Sequence, residues 1–275
     1  MCRLLGIVAS EPTEFSLGLT GAPRCLATLS REHRDGWGIA IHDAASTWDL
    51  HRGTAPAGDD QRFHELATKC RGHVLVAHVR QKTVGPTRLE NTHPFVESGW
   101  AFAHNGTIQQ IEALREDCST TRLEAVLGDT DSELFFAYVL SRLDEEGLVR
   151  LDDESSRARA AEVLHEMTAR LRERKIGAFN FLLSDGTTTF AHRSGRSLFL
   201  LERNPADPVR QTRDMGDGAT VVTAWTSRRQ AVLIASEHTT DEPWREVPDG
   251  TLLRIERLPI PYVVGSASDG QREAC

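Results

Sequence analysis

The chain lacks any apolar run approaching the roughly 20 residues that a membrane-crossing helix requires. Its early LLGIVA run has only Arg3 before it and Glu11 and Pro12 soon after, without the charged region and cleavage site of a secretory leader. It reads instead as a buried strand. Cysteine is sparse too. Cys2, Cys25, Cys70, Cys118 and Cys275 are odd in number and widely scattered, which suits neither a disulfide framework nor a zinc site and points to a reducing, cytoplasmic setting. A basic surface is missing: a net charge of −8 argues against a nucleic-acid partner. His73, His78, His93 and His104 do not follow a ligand spacing such as H-x-x-x-H on a helix, so strand packing accounts for them and no metal or organic cofactor is called for. No internal repeat and no interior linker is visible.

What is present is an ordinary globular composition, 39% hydrophobic and 26% charged, in 275 residues, enough to bury a sizeable core. RLLGIVA, GWGIAIH, HVLVAHV and WAFAHN are short apolar runs closed by turn residues and read as strands, as do FNFLLS, TTFAHR, SLFLLE, ATVVTAW, AVLIAS and TLLRIE. Asp185-Gly186 between two of these is a hairpin signal, which makes the neighbouring strands antiparallel. Helices fall mainly in the middle. TDSELFFAYVLSRL carries Phe135, Val139 and Leu143 on one stripe, with Thr130 and Glu133 spaced as a capping box. ARAAEVLHEMTARLRER carries Val163, Leu164, Met167 and Leu171 on one face; shorter helices are expected around Glu112-Leu114 and Phe63-Leu66. Asn204 to Gly218 reads as a loop, and residues 265–275 as a disordered tail after a domain spanning 1–264. Strands, then helices, then strands describe one α+β domain with antiparallel sheets.

Three stretches invite a chemical reading. A strand ends at Arg80 in AHVRQKTVG; another runs into His104-Asn105-Gly106; and Asp131 opens a helix in GDTDSE. Each has a plain alternative: a surface ion pair for Arg80, a common turn dipeptide for Asn-Gly, a carboxylate complementing the helix dipole for Asp131. With Cys2 they supply what amide hydrolysis needs. A thiol is nucleophilic once a base removes its proton, and if Met1 is trimmed Cys2 carries that base as its own α-amine, with an unperturbed pKa of about 8. An Asn amide beside a Gly N–H can stabilise a carbonyl oxygen turning negative. A cation and an anion, Arg80 and Asp131, suit the two charged groups of an α-amino acid.

In order and spacing, MCRLLG, HRDGWGIAI, AHVRQKTVG, LENTHPF, AHNGTI, GDTDSE, FNFLLSDG and VLIASE…EPWREVPDG resemble the class II glutamine amidotransferases of the N-terminal nucleophile (Ntn) hydrolase superfamily, in particular a small stand-alone YafJ-like branch. The resemblance implies an αββα sandwich of two antiparallel sheets between helical layers. It implies Cys2 as nucleophile, Asn105 and the Gly106 N–H as oxyanion hole, Arg80 on the substrate α-carboxylate, Asp131 on its α-amine, and Thr83 near the carboxylate. His93, before Pro94, is either a substrate-binding or a packing residue. Asp35, Gly36, Trp37 and Gly38 match a turn near the nucleophile. Where amino-sugar-forming relatives have a histidine after the threonine, this chain has Val84.

The reaction so implied is cleavage of the side-chain amide of glutamine or a γ-glutamyl compound through a thioester, releasing glutamate. Any acceptor chemistry for ammonia would lie in another protein or be absent, since little sequence follows Leu258. Two alternatives stand beside it: a γ-glutamyl amide hydrolase of an ergothioneine-like pathway, and a catalytically idle binding or regulatory subunit. A small-molecule substrate, with neither nucleic acid nor membrane, is the expected partner.

Overall fold

LLGIVA lies at the centre of a seven-stranded sheet, hydrogen-bonded to a strand on each side. The structure is a computed structural model that describes residues 2–43, 47–204, 213–214, 220–221 and 229–267. Its strands in the first half are β1 (Arg3–Glu14), β2 (Trp37–His42), β3 (Asp49–Gly53), β4 (Arg71–Val79), β5 (Phe95–Glu97) and β6 (Trp100–Ile108). The second half adds β7 (Gly177–Ser184), β8 (Thr188–His192), β9 (Phe199–Arg203), the short pair β10 (Arg213–Asp214) and β11 (Thr220–Val221), then β12 (Ala231–Ala235), β13 (Arg245–Glu246), β14 (Leu252–Glu256) and β15 (Tyr262–Ala267). The α-helices are α1 (Leu26–Leu29), α2 (Gln61–Lys69), α3 (Ile111–Glu116), α4 (Thr120–Glu124), α5 (Asp131–Glu145) and α6 (Glu154–Glu173).

Sheet order is β13-β9-β12-β1-β4-β2-β3 in one layer and β15-β14-β8-β7-β6-β5 in the other, every pairing antiparallel. Three apolar clusters show how the layers stack. Leu4, Val8, Val74, Val76, Ala101, Ala103, Leu182 and Ile234 fill the space between the sheets. Ile7, Ile39 and Leu75 pack the outer face of the first sheet against Leu26 and Phe63 of α1 and α2. Phe102, Phe179 and Phe181 pack the second against Phe135 and Val139 of α5 and Leu164 of α6. The expected αββα order follows from these contacts. Side chains alternate between faces of a strand, so one strand such as β1 serves two cores at once.

Several local expectations change. Thr130 does cap α5, accepting from Glu133 N at 3.2 Å, but the Glu133 carboxylate does not return to close a capping box; it accepts from the N–H groups of Leu127 and Gly128, at 3.1 and 2.6 Å. The loop ahead of the helix outcompetes the cap because it brings two main-chain donors to one carboxylate. The reciprocal box is at α6, between Asp153 and Ser156. β15 continues to Ala267, whose partner is Leu252, so sheet pairing runs past the boundary expected at 264. Residues 268–275, most of the Asn204–Gly218 segment, and most of the ATVVTAW run lie outside the described residues. Among the described residues no helix is long and apolar enough to cross a membrane.

Burial pushes the imidazoles of His78 and His192 down to about 3. Their folded values lie below the unfolded value of about 6.5, so the unfolded chain binds more protons across that interval. Their stabilising contribution is complete above pH ~6.5 and is lost as the pH falls toward ~3. Together they impose a slope of up to about 2.7 kcal/mol per pH unit between those limits. Thermal denaturation between pH 7 and 4 is expected to show the midpoint falling steadily; a flat or rising midpoint would contradict neutral, buried imidazoles.

Candidate active site at one mouth of the sandwich

Strand alternation decides which side chains meet. Leu4 of β1 faces the inter-sheet layer, and Cys2, two residues earlier, shares that direction. Val74 and Val76 of β4 set the same face for His78 and, just beyond the strand, Arg80; Ala101 and Ala103 of β6 set it for Asn105 and Thr107. The register Arg3↔Val79 puts the start of β1 beside the end of β4. Thr83 Oγ1 and Thr107 Oγ1, 3.5 Å apart, bring the loop after β4 to the end of β6. Cys2, Arg80, Asn105 and Thr83 thereby converge on one end of the inter-sheet layer.

Cys2 is held firmly. Its sulfur lies 3.3 Å from both the main-chain N and O of Gln81. Its carbonyl accepts from Arg3 Nη1 at 3.2 Å, and Arg3 and Arg24 both pair with Glu237. One residue on, Leu4 and Ser236 exchange bonds: Leu4 N–H donates to the Ser236 hydroxyl and Ser236 N–H to the Leu4 carbonyl, each at 3.1 Å. Burial pushes the Cys2 thiol above its ordinary value, opposed by the Gln81 main chain and by the charge of Arg80.

Arg80 is 3% exposed. Its guanidinium donates to the carbonyls of Val84 at 2.8 Å, Gly85 at 3.4 Å and Pro86 at 3.1 Å, so the loop after β4 wraps around it. Among the described residues no carboxylate forms an ion pair with it. Burial lowers its pKa, while the charges of Cys2, Asp35 and Asp131 act in the opposite direction. Asp35 pins the same loop, accepting from Lys82 N at 3.0 Å and from the Thr87 hydroxyl at 3.4 Å. The Asp35–Gly38 stretch is thus a framework piece. A Cβ on Gly38 would sit 2.1 Å from the His93 carbonyl oxygen, so only glycine lets the His93-Pro94 segment lie against β2.

Asp131 begins α5 and is 7% exposed. Its Oδ2 accepts from Ile108 N at 2.7 Å, fastening the helix to the end of β6. Ser132 Oγ stands 3.4 Å from Asp131 Oδ1 and 2.8 Å from His104 Nδ1, which links the residue before Asn105 to the helix terminus. The Asn105 amide makes no hydrogen bond to the described residues, whereas its neighbour across the strand pair, Asn180, is fully engaged with the Ser194 N–H and the Arg196 and Ser197 carbonyls. A Cβ on Gly106 would fall 1.8 Å from the Ala178 carbonyl oxygen, so glycine is required where β6 and β7 close up.

His93 is placed differently from the other expected site residues. Its ring is 3% exposed, 4.4 Å from His78 and 4.6 Å from Phe95, with neither nitrogen hydrogen-bonded, so it packs beneath Arg80's strand instead of lining the mouth. Burial holds its imidazole well below the ordinary value. Gln81, Ser132, Glu237 and Ser236 join the site without having been singled out from the sequence. Gln81 acts through its main chain, which residue type does not reveal, and the others meet the site only through tertiary pairing. Among the described residues no group of three or more His, Cys, Asp and Glu could hold a metal ion.

A raised thiol pKa makes Cys2 a sluggish nucleophile in any chain that retains Met1, because the thiolate is the reacting form. Carbamidomethylation of Cys2 in that form is expected to be slower at pH 7 than that of a free cysteine and to climb about tenfold per pH unit through pH 9. A rate already level at pH 7 would contradict the buried, protonated thiol.

Comparison with known proteins gives a consistent result. The family model for class II glutamine amidotransferases matches residues 1–271. YafJ of Escherichia coli (strain K12) is 30% identical over 74% of this chain and 78% of its own length. A Mycobacterium tuberculosis protein named gamma-glutamyl-hercynylcysteine sulfoxide hydrolase is 28% identical over 99% of this chain and 100% of its own. The crystal structure of a predicted glutamine amidotransferase from Pseudomonas aeruginosa PA01 superimposes with a TM-score of 0.62 at 29% identity, covering 92% of this chain and 96% of that one. The chain belongs to the class II glutamine amidotransferase family and is an enzyme of it.

Proposed function

We propose that Cys2, made the first residue by removal of Met1, attacks the side-chain carbonyl of glutamine or a γ-glutamyl amide. The α-amine of Cys2 takes the thiol proton as sulfur bonds to the carbonyl carbon. The carbonyl oxygen becomes negative and is met by the Asn105 amide and the Gly106 N–H. Collapse expels ammonia or an amine, which leaves with the proton from the α-amine, and a thioester remains. Water, deprotonated by the same α-amine, adds to the thioester; glutamate departs and the thiol is restored.

Arg80 carries this reading. A buried guanidinium hydrogen-bonded only to carbonyl oxygens feels Asp35 and Asp131 without pairing directly with either, and a substrate α-carboxylate supplies the direct partner. Asp131 Oδ2 is committed to Ile108 N–H, while Oδ1 has only the long Ser132 contact and so has capacity for an ammonium group. Thr83, exposed on the loop that Arg80 gathers, serves the carboxylate side. His93 supports the mouth from beneath.

The second reading, a hydrolase of bulkier γ-glutamyl amides, is favoured by one observation. The relative named for such an activity aligns with this chain from end to end. Comparing hydrolysis of glutamine with that of bulky γ-glutamyl amides separates the two: equal rates, or preference for glutamine, count against the bulkier substrate.

Intact mass after treatment with a glutamine-mimicking diazo-ketone tests the chemistry, with the expected outcome a single adduct on Cys2 in a chain without Met1. Retained Met1, or an unmodified Cys2, contradicts it. Asn105→Ala is expected to lower kcat by about 10²–10³. Asp131→Asn keeps an acceptor for Ile108 N–H while removing the charge, so it is expected to raise KM with kcat little changed, because the ammonium contact exists already in the ground state. A fall in kcat alone would refute that role.

A further inference from the structure

Between α1 and β2 lies His33, 3% exposed. Its Nδ1 is 3.2 Å from Gln81 Oε1. A carboxamide oxygen only accepts, so Nδ1 carries the proton and donates. Burial first, then the charge of Arg3, holds this imidazole below its ordinary value, which keeps it the neutral donor at neutral pH. Gln81 turns its main chain to the thiol: N and O both stand 3.3 Å from Cys2 Sγ. A continuous chain therefore runs from the buried ring through the Gln81 side chain to its main chain and on to the sulfur.

The connection matters because Gln81 is the first loop residue after Arg80. The thiol donates to the Gln81 carbonyl and accepts from the Gln81 N–H, but only the N–H stabilises a thiolate, so a loop residue that turns this N–H away leaves the anion unsupported. The following residue, Lys82, is held by Asp35, and the preceding one, Arg80, pairs its N–H with the Gly36 carbonyl at 2.8 Å. The Gln81 side chain receives the His33 Nδ1–H on its carboxamide oxygen.

We propose that His33 is a positioning residue for the nucleophile: through the Gln81 side chain it keeps the Gln81 N–H aimed at Cys2 Sγ. The inference rests on Cys2 being the nucleophile. The charged groups around this chain are the α-amino group and Arg80 beside the thiol, and the same amino group, Arg3 and Glu32 beside the ring.

The test is the pH profile of Cys2 carbamidomethylation by iodoacetamide between pH 6 and 10 in the full chain, with peptide mapping to separate Cys2 from the other cysteines. His33→Leu and Gln81→Ala are each expected to slow the reaction about tenfold at pH 7 and to displace the rising limb of the profile upward by about one pH unit. His33→Asn, which retains a side-chain N–H donor, restores most of that rate. The double variant His33→Leu/Gln81→Ala is no slower than either single one, because both break the same chain. A Gln81→Ala profile that coincides with wild type overturns the proposal, and this variant decides the matter even if His33→Leu fails to fold. Because iodoacetamide reports thiol ionisation without any substrate, its result is read independently of whether the diazo-ketone labels Cys2. Failure of the positioning role and failure of the nucleophile assignment are thereby told apart.

Discussion

A full positive charge held almost out of water needs either an anion or a dense set of dipoles, and at Arg80 the direct hydrogen bonds all come from dipoles, with Asp35 and Asp131 acting from further off. Carbonyl oxygens of Val84, Gly85 and Pro86 solvate part of the guanidinium and in doing so fold the loop after β4 back on itself. That loop carries Gln81 to the thiol and Thr83 to Thr107. One buried cation thus shapes the wall of the mouth while making no direct ion pair among the described residues. In the mechanism proposed above the substrate carboxylate takes that place, which would tie binding to the same residue that organises the site.

The second constraint is placement of Cys2. It immediately precedes β1, which lies between β12 and β4 at the middle of a seven-stranded sheet. Pairing through Leu5↔Ala235 and Arg3↔Val79 fixes the register up to the residue after Cys2, and the Arg3–Glu237–Arg24 cluster secures the last step. From the other sheet, β6 delivers Asn105 and Gly106, and α5, fastened by Asp131 to Ile108, delivers its carboxylate. In the mechanism proposed above, preorganisation of this kind would let the oriented groups act without rearranging during the reaction.

Much of this was legible in the sequence, for identifiable reasons. The central strands announced themselves because each serves one or two apolar faces, and α5 and α6 because their stripes repeat at helical spacing. Cys2, Arg80, Asn105 and Asp131 stood out as residue types whose chemistry is hard to spend on packing. Edge strands such as Asp49–Gly53 and Arg245–Glu246 went unseen because their burial is slight and their residues polar. The capping pattern at Thr130 misled because Glu133 found two loop N–H donors that local spacing does not show. Gln81 and His33 were hidden for another reason: one works through its main chain, and the other acquires its role only when a partner 48 positions away folds against it.

The account stands on Arg80 as the proposed partner of a substrate carboxylate, and calorimetric titration of a Cys2→Ala variant tests it most directly. L-glutamine is expected to bind saturably, and 4-aminobutanamide, the same molecule without its α-carboxylate, to bind about a hundredfold more weakly or not at all, as the loss of one buried charge pair (~3 kcal/mol) requires. Equal affinity for the two would contradict the central claim.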